Sequence, residues 1–296
     1  LGILTCYPYP VTITGDASLK LRPFKRLTNY LENIGATITH PKNKKHNLPI
    51  KISGTKDWAI AQKHIIKFKS SQISSAIIYA SLQCKGISEI IENSDTRDHL
   101  QRLLKNLKAD ISVKENKGER ITKIRGQVEM HNFSFEVPAD PSSACFFVVQ
   151  TLLTKNSTLL IKNVCVNKTR IGFIKILKSM GGKIKILRKR KYFSEEVADL
   201  FVKSSNLKGI NVPIKWITKS IDDLVIIWIA CGLAKGQSTF KGISELRLKE
   251  SDRIKTMSKS LNKLGIKTRA TKDTLKIYGN PNIEPKKLIK ISSNLD

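Results

Sequence analysis

The chain has 296 residues, 40% of them hydrophobic and 26% charged, and carries 53 Lys and Arg against 24 Asp and Glu for a net charge of +29. That length fits two domains rather than one core, the composition excludes a disordered chain, and the longest apolar run, Leu224 to Ala234, falls far short of the roughly 20 residues of a membrane span. The lysines are spread along the whole chain, and the basic runs Lys42–Lys45 and Lys183–Lys191 lack a neighbouring aromatic platform for stacking bases, so anionic substrates are expected rather than nucleic acid.

From the N-terminus, Ser18 stands ahead of Arg22-Pro-Phe-Lys-Arg-Leu, and Leu27, Tyr30, Leu31 and Ile34 then recur at helical spacing. Gly35 closes this amphipathic helix as a C′ glycine, and a strand follows from Ala36. The stretch Ser70-Ser-Gln-Ile-Ser-Ser-Ala-Ile-Ile-Tyr is apolar on nearly all sides and predicts a buried helix. Thr96 then precedes Arg97-Asp-His-Leu-Gln-Arg-Leu-Leu, a second amphipathic helix that gives way to a strand at Ala109. Asp140-Pro141 is a helix start, with Asp as cap and Pro at the first helical position. It opens another buried helix through Phe147. Ser157-Thr-Leu-Leu-Ile reads as a strand. Thr169 and Arg170 head a third amphipathic helix closed by Gly181, and Ile221-Asp222-Asp223-Leu-Val-Ile-Ile-Trp is the last buried one, with Asp223 as its cap. Ser251 and Arg253 head the fourth amphipathic helix, which Gly265 ends, and Thr274-Leu-Lys-Ile-Tyr is a closing strand. Cys6, Cys84, Cys145, Cys165 and Cys231 are scattered and odd in number, as reduced thiols of a cytoplasmic protein would be. The first residues show no basic n-region or cleavage site, so no signal peptide is expected.

The chain therefore repeats itself. Strands, one buried helix and one amphipathic helix recur about every 75 residues, four times over. Two repeats precede Pro138 and two follow, which predicts an α/β protein with lobes over 1–139 and 140–296. Each amphipathic helix is expected to carry an Arg in its first turn and a hydroxyl cap from Ser18, Thr96, Thr169 or Ser251. Arg is disfavoured at the positive end of a helix dipole, so four in register point to anion binding at helix starts. The other reading is that each Arg pairs with a nearby acid such as Asp16, Asp95 or Asp98. For Arg22 and Arg170 the two readings stand level, while Arg97 and Arg253 read as functional. Lys249-Glu250-Ser251-Asp252-Arg253 places two cations and a carboxylate at a helix start, where a carboxylate so flanked could exchange protons with a held substrate. Asp222, at the head of an otherwise apolar helix, is the second candidate acid or base.

The ordered set Gly15-Asp16-Ala-Ser18-Leu19-Lys-Leu-Arg22-Pro23, Ser70-Ser-Gln72, Thr96-Arg-Asp-His99, Asp140-Pro-Ser-Ser143, Ile221-Asp222-Asp223 and Glu245-Leu-Arg-Leu-Lys-Glu-Ser-Asp-Arg253 resembles the 3-phosphoshikimate 1-carboxyvinyltransferase (enolpyruvylshikimate-phosphate synthase) family from end to end of the chain. The last block is highly specific. The resemblance implies two inside-out α/β barrels built from βαβαββ-type repeats, about four of six being present here. It implies transfer of enolpyruvyl from phosphoenolpyruvate to the 5-hydroxyl of shikimate 3-phosphate, with release of phosphate. By motif position, Ser70, Ser71, Gln72, Arg97, Asp222 and Lys249 would bind shikimate 3-phosphate, and Gln72, Lys249, Glu250 and Arg253 would bind phosphoenolpyruvate. Asp222 would receive the hydroxyl proton, and Glu250 would protonate and deprotonate the methylene carbon. Such a site needs carboxylates for protons and cations for phosphates, and no metal or cofactor. The implied partners are these small molecules, not nucleic acid or membrane, for a protein that is a monomer when full length.

Three turns depart from the family pattern: Ala139 stands where Gly is usual, Asn167-Lys-Thr-Arg170 has lost a Pro, and Phe24 replaces a Met. The chain also begins just after a Gly-Asn-Ala-Gly-Thr loop of the family and ends at Asp296, where Asp-His-Arg is usual. It is expected to be a fragment lacking both termini, weak in binding both substrates and slow or inactive alone. The sister transferase acting on UDP-N-acetylglucosamine is the nearest alternative, but it would need a reactive Cys in a mobile basic loop, which none of the five cysteines offers. A basic nucleic-acid-binding protein is the alternative from another class.

Overall fold

The computed structural model describes residues 1–40, 47–55, 59–249, 251–283 and 289–291. Glu250 and the Lys42–Lys45 run lie outside the described residues. The chain divides into two compact units, Leu1–Phe135 and Glu136–Asp296, a few residues before the junction expected at Ala139 and Asp140. No helix among the described residues is long and apolar enough to cross a membrane.

The first unit opens on a 3-10 turn, Gly2–Cys6, followed by β1 (Val11–Ile13), α1 (Lys25–Ile34), β2 (Thr37–Thr39) and β3 (Ile50–Ser53). These strands form an antiparallel sheet in the order β1-β3-β2. Next come β4 (Lys63–Ile65), α2 (Ser71–Ser81), β5 (Ile87–Asn93), α3 (His99–Asn106), β6 (Ile111–Asn116) and β7 (Glu119–Arg125). Their sheet runs β4-β5-β7-β6, with β4 and β5 parallel. Lys117 and Gly118 both have positive φ, as a two-residue hairpin between β6 and β7 demands.

The second unit holds α4 (Pro141–Leu153), β8 (Thr158–Cys165), α5 (Gly172–Ser179), β9 (Lys183–Tyr192) and β10 (Glu195–Lys203). It continues through α6 (Ile214–Ile217), α7 (Leu224–Gly232), β11 (Gly236–Lys241), α8 (Arg253–Lys263), β12 (Thr268–Ala270) and β13 (Thr274–Gly279). The sheets run β8-β10-β9 and β11-β13-β12. In all four repeats the last strand sits between the two strands that precede it, with β4 added at the edge of the second, so the sequence repeat is a structural one. Single-residue bridges add a parallel neighbour: Ala139 to Val164, Lys208 to Lys235 and Asn211 to Thr239.

The helix ends follow local chemistry. Gly35, Gly181 and Gly265 have φ of 120°, 96° and 85°, a conformation that lets the chain reverse after α1, α5 and α8 without a Cβ clash. The helix starts differ from the expectation. Only Arg253 lies in a first turn; Arg22, Arg97 and Arg170 precede α1, α3 and α5. For Arg22 the reason is Pro23, which holds the residue before it in extended backbone, here φ −79° and ψ 137°. None of the four expected hydroxyls caps its helix: the N-cap residues are Phe24, Asp98, Ile171 and Asp252. Asp223 occupies the N-cap position of α7, but its buried side chain accepts no cap hydrogen bond.

Each unit has its own core. In the first, Leu31 and Ile34 of α1 pack with Ile50 and Ile52 of β3 and with Ala80 and Cys84 at the end of α2. In the second, Trp228 of α7 and Phe240 of β11 are fully buried and meet edge to face at 6.1 Å. The buried-helix expectation holds for α7 and fails on one side of α4, where Phe146 and Phe147 are 52% and 57% exposed.

Candidate active site

Parallel neighbours decide where the functional segments emerge. In the first unit β4 and β5 run side by side, paired through His64 and Ile90, and the Ile66 N–H donates to Ile91 O at 2.8 Å. The segments that follow them, Ser70–Gln72 and Ser94–Asp98, therefore leave the sheet at the same end. Ligands in such folds bind beyond the carboxyl ends of parallel strands. Ser70 is the N-cap of α2, its Oγ accepting weakly from the Ile73 N–H at 3.5 Å, and Gln72 is exposed in the first turn. A helix start of this kind offers free N–H groups to an anion. Arg97 is half-buried in the turn between β5 and α3. Next to it, Asp98 pairs with Arg102 at 2.9 Å.

The same two segments recur in each later repeat. Asp140 follows the Ala139 bridge to β8, and Asn167–Arg170 follows β8 itself. They meet: Arg170 Nη2 donates to Asp140 Oδ1 and to Ser142 Oγ, both at 2.9 Å. Asp140 Oδ2 also caps α4 by accepting from the Ser143 N–H at 2.8 Å and Ser143 Oγ at 2.9 Å. Of the two readings of Arg170, this geometry realises the structural one. In the fourth repeat, Asp222 stands ahead of α7 and Lys249 follows β11, and Lys249 Nζ lies 3.7 Å from Asp222 Oδ1. The side chains remain 30% and 35% exposed, so both can reach a ligand. A carboxylate paired with a cation beside a helix start can take up a proton while the cation holds a phosphate or carboxylate.

The loop around Lys249 is braced from both sides. Arg247 Nη1 donates to Asp252 Oδ2 at 2.6 Å, Nη2 to Thr271 O at 2.6 Å and Nε to Lys272 O at 3.0 Å. Asp252 Oδ1 in turn caps α8 at the Lys255 N–H, 3.0 Å. Arg247 and Asp252 thus bridge the two ends of the segment that carries Lys249 and Ser251, and they place Arg253 at the first position of α8. Asp273 accepts from the N–H groups of Ser244 and Gly242 at 2.8 and 3.0 Å. The Ser244 N–H leads the bonds that hold its carboxyl below the ordinary carboxylate range against the effect of burial. Sequence reasoning passed over Arg247 and Asp252 as structural members of the motif. The signal was present in the Asp-x-x-Lys spacing of a helix cap one residue before Arg253.

Burial works to raise the pKa of Asp140, but the Ser143 and Ser142 bonds and the Arg170 charge outweigh it and leave the carboxyl below its ordinary value. A depressed carboxylate pKa stabilises the fold above the unfolded value of about 3.9, and that contribution is lost as pH falls through the folded pKa. Asp140→Ala is therefore expected to cost about 1 kcal/mol at pH 7, as for other caps, and much less at pH 3. Urea unfolding of the two proteins at both pH values measures the difference; an equal cost at both would show that the charge is irrelevant.

The family model for EPSP synthase (3-phosphoshikimate 1-carboxyvinyltransferase) matches residues 1–290. The 3-phosphoshikimate 1-carboxyvinyltransferase of Zymomonas mobilis is 40% identical over 100% of this chain and 65% of its own length. That of Petrotoga mobilis is 42% identical over 96% of this chain and 64% of its own. The chain thus spans a little under two thirds of the curated relatives it matches. Among solved structures, an EPSP synthase from Acinetobacter baumannii superposes with a TM-score of 0.79 at 33% identity, covering 94% of this chain and 61% of that one. The enolpyruvyl transferase NikO from Streptomyces tendae gives a TM-score of 0.68 over 91% of this chain and 60% of its own, and at 12% identity shares the fold alone.

Proposed function

The chain belongs to the EPSP synthase family, and from that premise we propose that it binds shikimate 3-phosphate and phosphoenolpyruvate and serves transfer of the enolpyruvyl group to the 5-hydroxyl. The observation that carries the reading is the Asp222–Lys249 pair at 3.7 Å, a proton acceptor and a cation ahead of α7 and α8, each about a third exposed. In this reading Ser70, Ser71, Gln72 and Arg97 hold the phosphate and carboxylate of shikimate 3-phosphate. Asp222 takes the proton of the 5-hydroxyl as its oxygen bonds to the central carbon of phosphoenolpyruvate, while Glu250 delivers a proton to the methylene carbon. Glu250 then removes a proton from the resulting methyl group, the carbon–oxygen bond to phosphate breaks, and the enol ether double bond forms. Lys249 touches both substrates and, with Arg253, holds the phosphate and carboxylate of phosphoenolpyruvate, where charge develops as phosphate leaves. The protein acts in the cytoplasm, as a monomer when full length, without a nucleic-acid partner.

Limited proteolysis tests the reading. Shikimate 3-phosphate is expected to slow cleavage of the wild-type chain, and Arg97→Ala is expected to abolish that protection. Protection by UDP-N-acetylglucosamine instead, or equal protection of wild type and variant, would overturn it. A steep salt-dependent mobility shift with DNA would point to the nucleic-acid-binding class.

A further inference from the structure

In every repeat, a side chain at or near the entrance to the last strand bonds the segment that leads into the amphipathic helix. Asn47, ahead of β3, donates to Leu21 O at 3.2 Å, next to Arg22. Glu195, the first residue of β10, accepts from Asn167 Nδ2 at 3.2 Å in the turn that ends at Arg170. Asp273, ahead of β13, accepts from the N–H groups of Gly242 and Ser244. The second repeat uses Arg120, the second residue of β7, and does so from full burial.

Arg120 lies across from Glu92 on β5 and from Glu115 on β6. The side chains of Arg120 and Glu92 are 0% exposed. Arg120 Nη1 donates to Thr96 O at 3.1 Å, Thr96 Oγ1 at 3.3 Å and Glu92 Oε1 at 3.4 Å. Its Nη2 donates to Ser94 O at 2.8 Å and Glu115 Oε1 at 3.3 Å. Glu92 closes the network by accepting from Thr96 Oγ1 at 2.7 Å and from Gln101 Nε2 of α3 at 2.8 Å. The turn is thus gripped at two carbonyls and tied to the helix behind it, and Arg97 is the next residue in the chain.

Stability is a poor account of this arrangement. A buried ion pair gains little over apolar residues of the same volume, and Arg120 Nε is buried with no hydrogen-bond partner among the described residues, a further cost. Apolar residues could not, however, bond the Ser94 and Thr96 carbonyls in a fixed plane, as a guanidinium fork does. We propose that Arg120 and Glu92 are positioning residues, which set the turn so that Arg97 presents its guanidinium to a carboxylate or phosphate group of the substrate. This inference rests on Arg97 being a binding residue for shikimate 3-phosphate.

The test titrates the whole chain with shikimate 3-phosphate up to millimolar concentration by calorimetry and records thermal midpoints alongside. Arg120→Lys keeps the charge opposite Glu92 but loses the fork, and is expected to weaken affinity by about tenfold, since small misplacements of a binding group cost heavily. Arg97→Lys is expected to weaken it too. If Arg120 acts through Arg97, adding Arg120→Lys to the Arg97→Lys chain weakens affinity little further. An equal loss in both backgrounds, or no loss from Arg120→Lys while Arg97→Lys weakens binding, overturns the positioning role and leaves the substrate reading intact. If the wild-type chain does not bind, or Arg97→Lys binds as well as wild type, the substrate reading itself fails and this inference with it. Should Arg120→Lys not fold, Thr96→Val removes the hydroxyl shared by Glu92 and Arg120, and its affinities are read by the same rules.

Discussion

Lys249→Ala is expected to weaken binding of shikimate 3-phosphate by about 30- to 1000-fold, or about 2–4 kcal/mol, the range for truncating one partner of a close charge pair. The same change should leave the thermal midpoint within about 2 °C of wild type, because a half-open ion pair contributes at most about 1 kcal/mol to folding. Both expectations come from one geometry: Lys249 and Asp222 face each other at 3.7 Å with roughly a third of each side chain in solvent. Removing the cation also leaves Asp222 facing an anionic ligand, which adds repulsion. Asp222→Asn should do the opposite, keeping affinity within about threefold while removing the proton acceptor. Calorimetric titration of the three proteins reads the sign directly. Unchanged affinity in Lys249→Ala would place the ligand elsewhere.

Arg120→Met is expected to destabilise the first unit by about 3–5 kcal/mol, because it strands the Glu92 carboxylate in a site with no solvent access. Replacing both partners, as Glu92→Leu with Arg120→Met, should recover most of that loss, since apolar groups of similar volume need no counter-charge. Denaturant unfolding separates the two cases. The double variant would then be a folded protein whose Ser94–Thr96 turn has lost its hydrogen bonds, and its affinity for shikimate 3-phosphate is expected to stay low. A double variant as unstable as the single one would mean that Thr96 and Gln101, not the charge pair, dominate the local energetics.

The sequence by itself determined the repeat. Helical periodicity, a glycine after three of the amphipathic helices and an alternating run of apolar helices are local properties, and local sterics enforce them whatever lies nearby. It also marked Asp222 at the head of an apolar helix, and Lys249 and Arg253, whose motif sets charged groups next to one another along the chain. Tertiary structure alone decided what those charges meet. Arg170 is spent on Asp140, thirty positions away along the chain, whereas Lys249 and Asp222 stay half open, and nothing in the spacing distinguishes the two cases. The exposure of Phe146 and Phe147 on α4 is likewise not written in their own hydrophobicity. Arg120 is the plainest instance. It follows the Lys117-Gly118 hairpin and alternates in phase with Thr122 and Ile124, which are buried. Strand pairing then sets it across from Glu92 and Glu115. Chain-local chemistry specifies which groups can bind an anion; only tertiary contacts, the register of the sheet among them, fix which of them the protein already pairs.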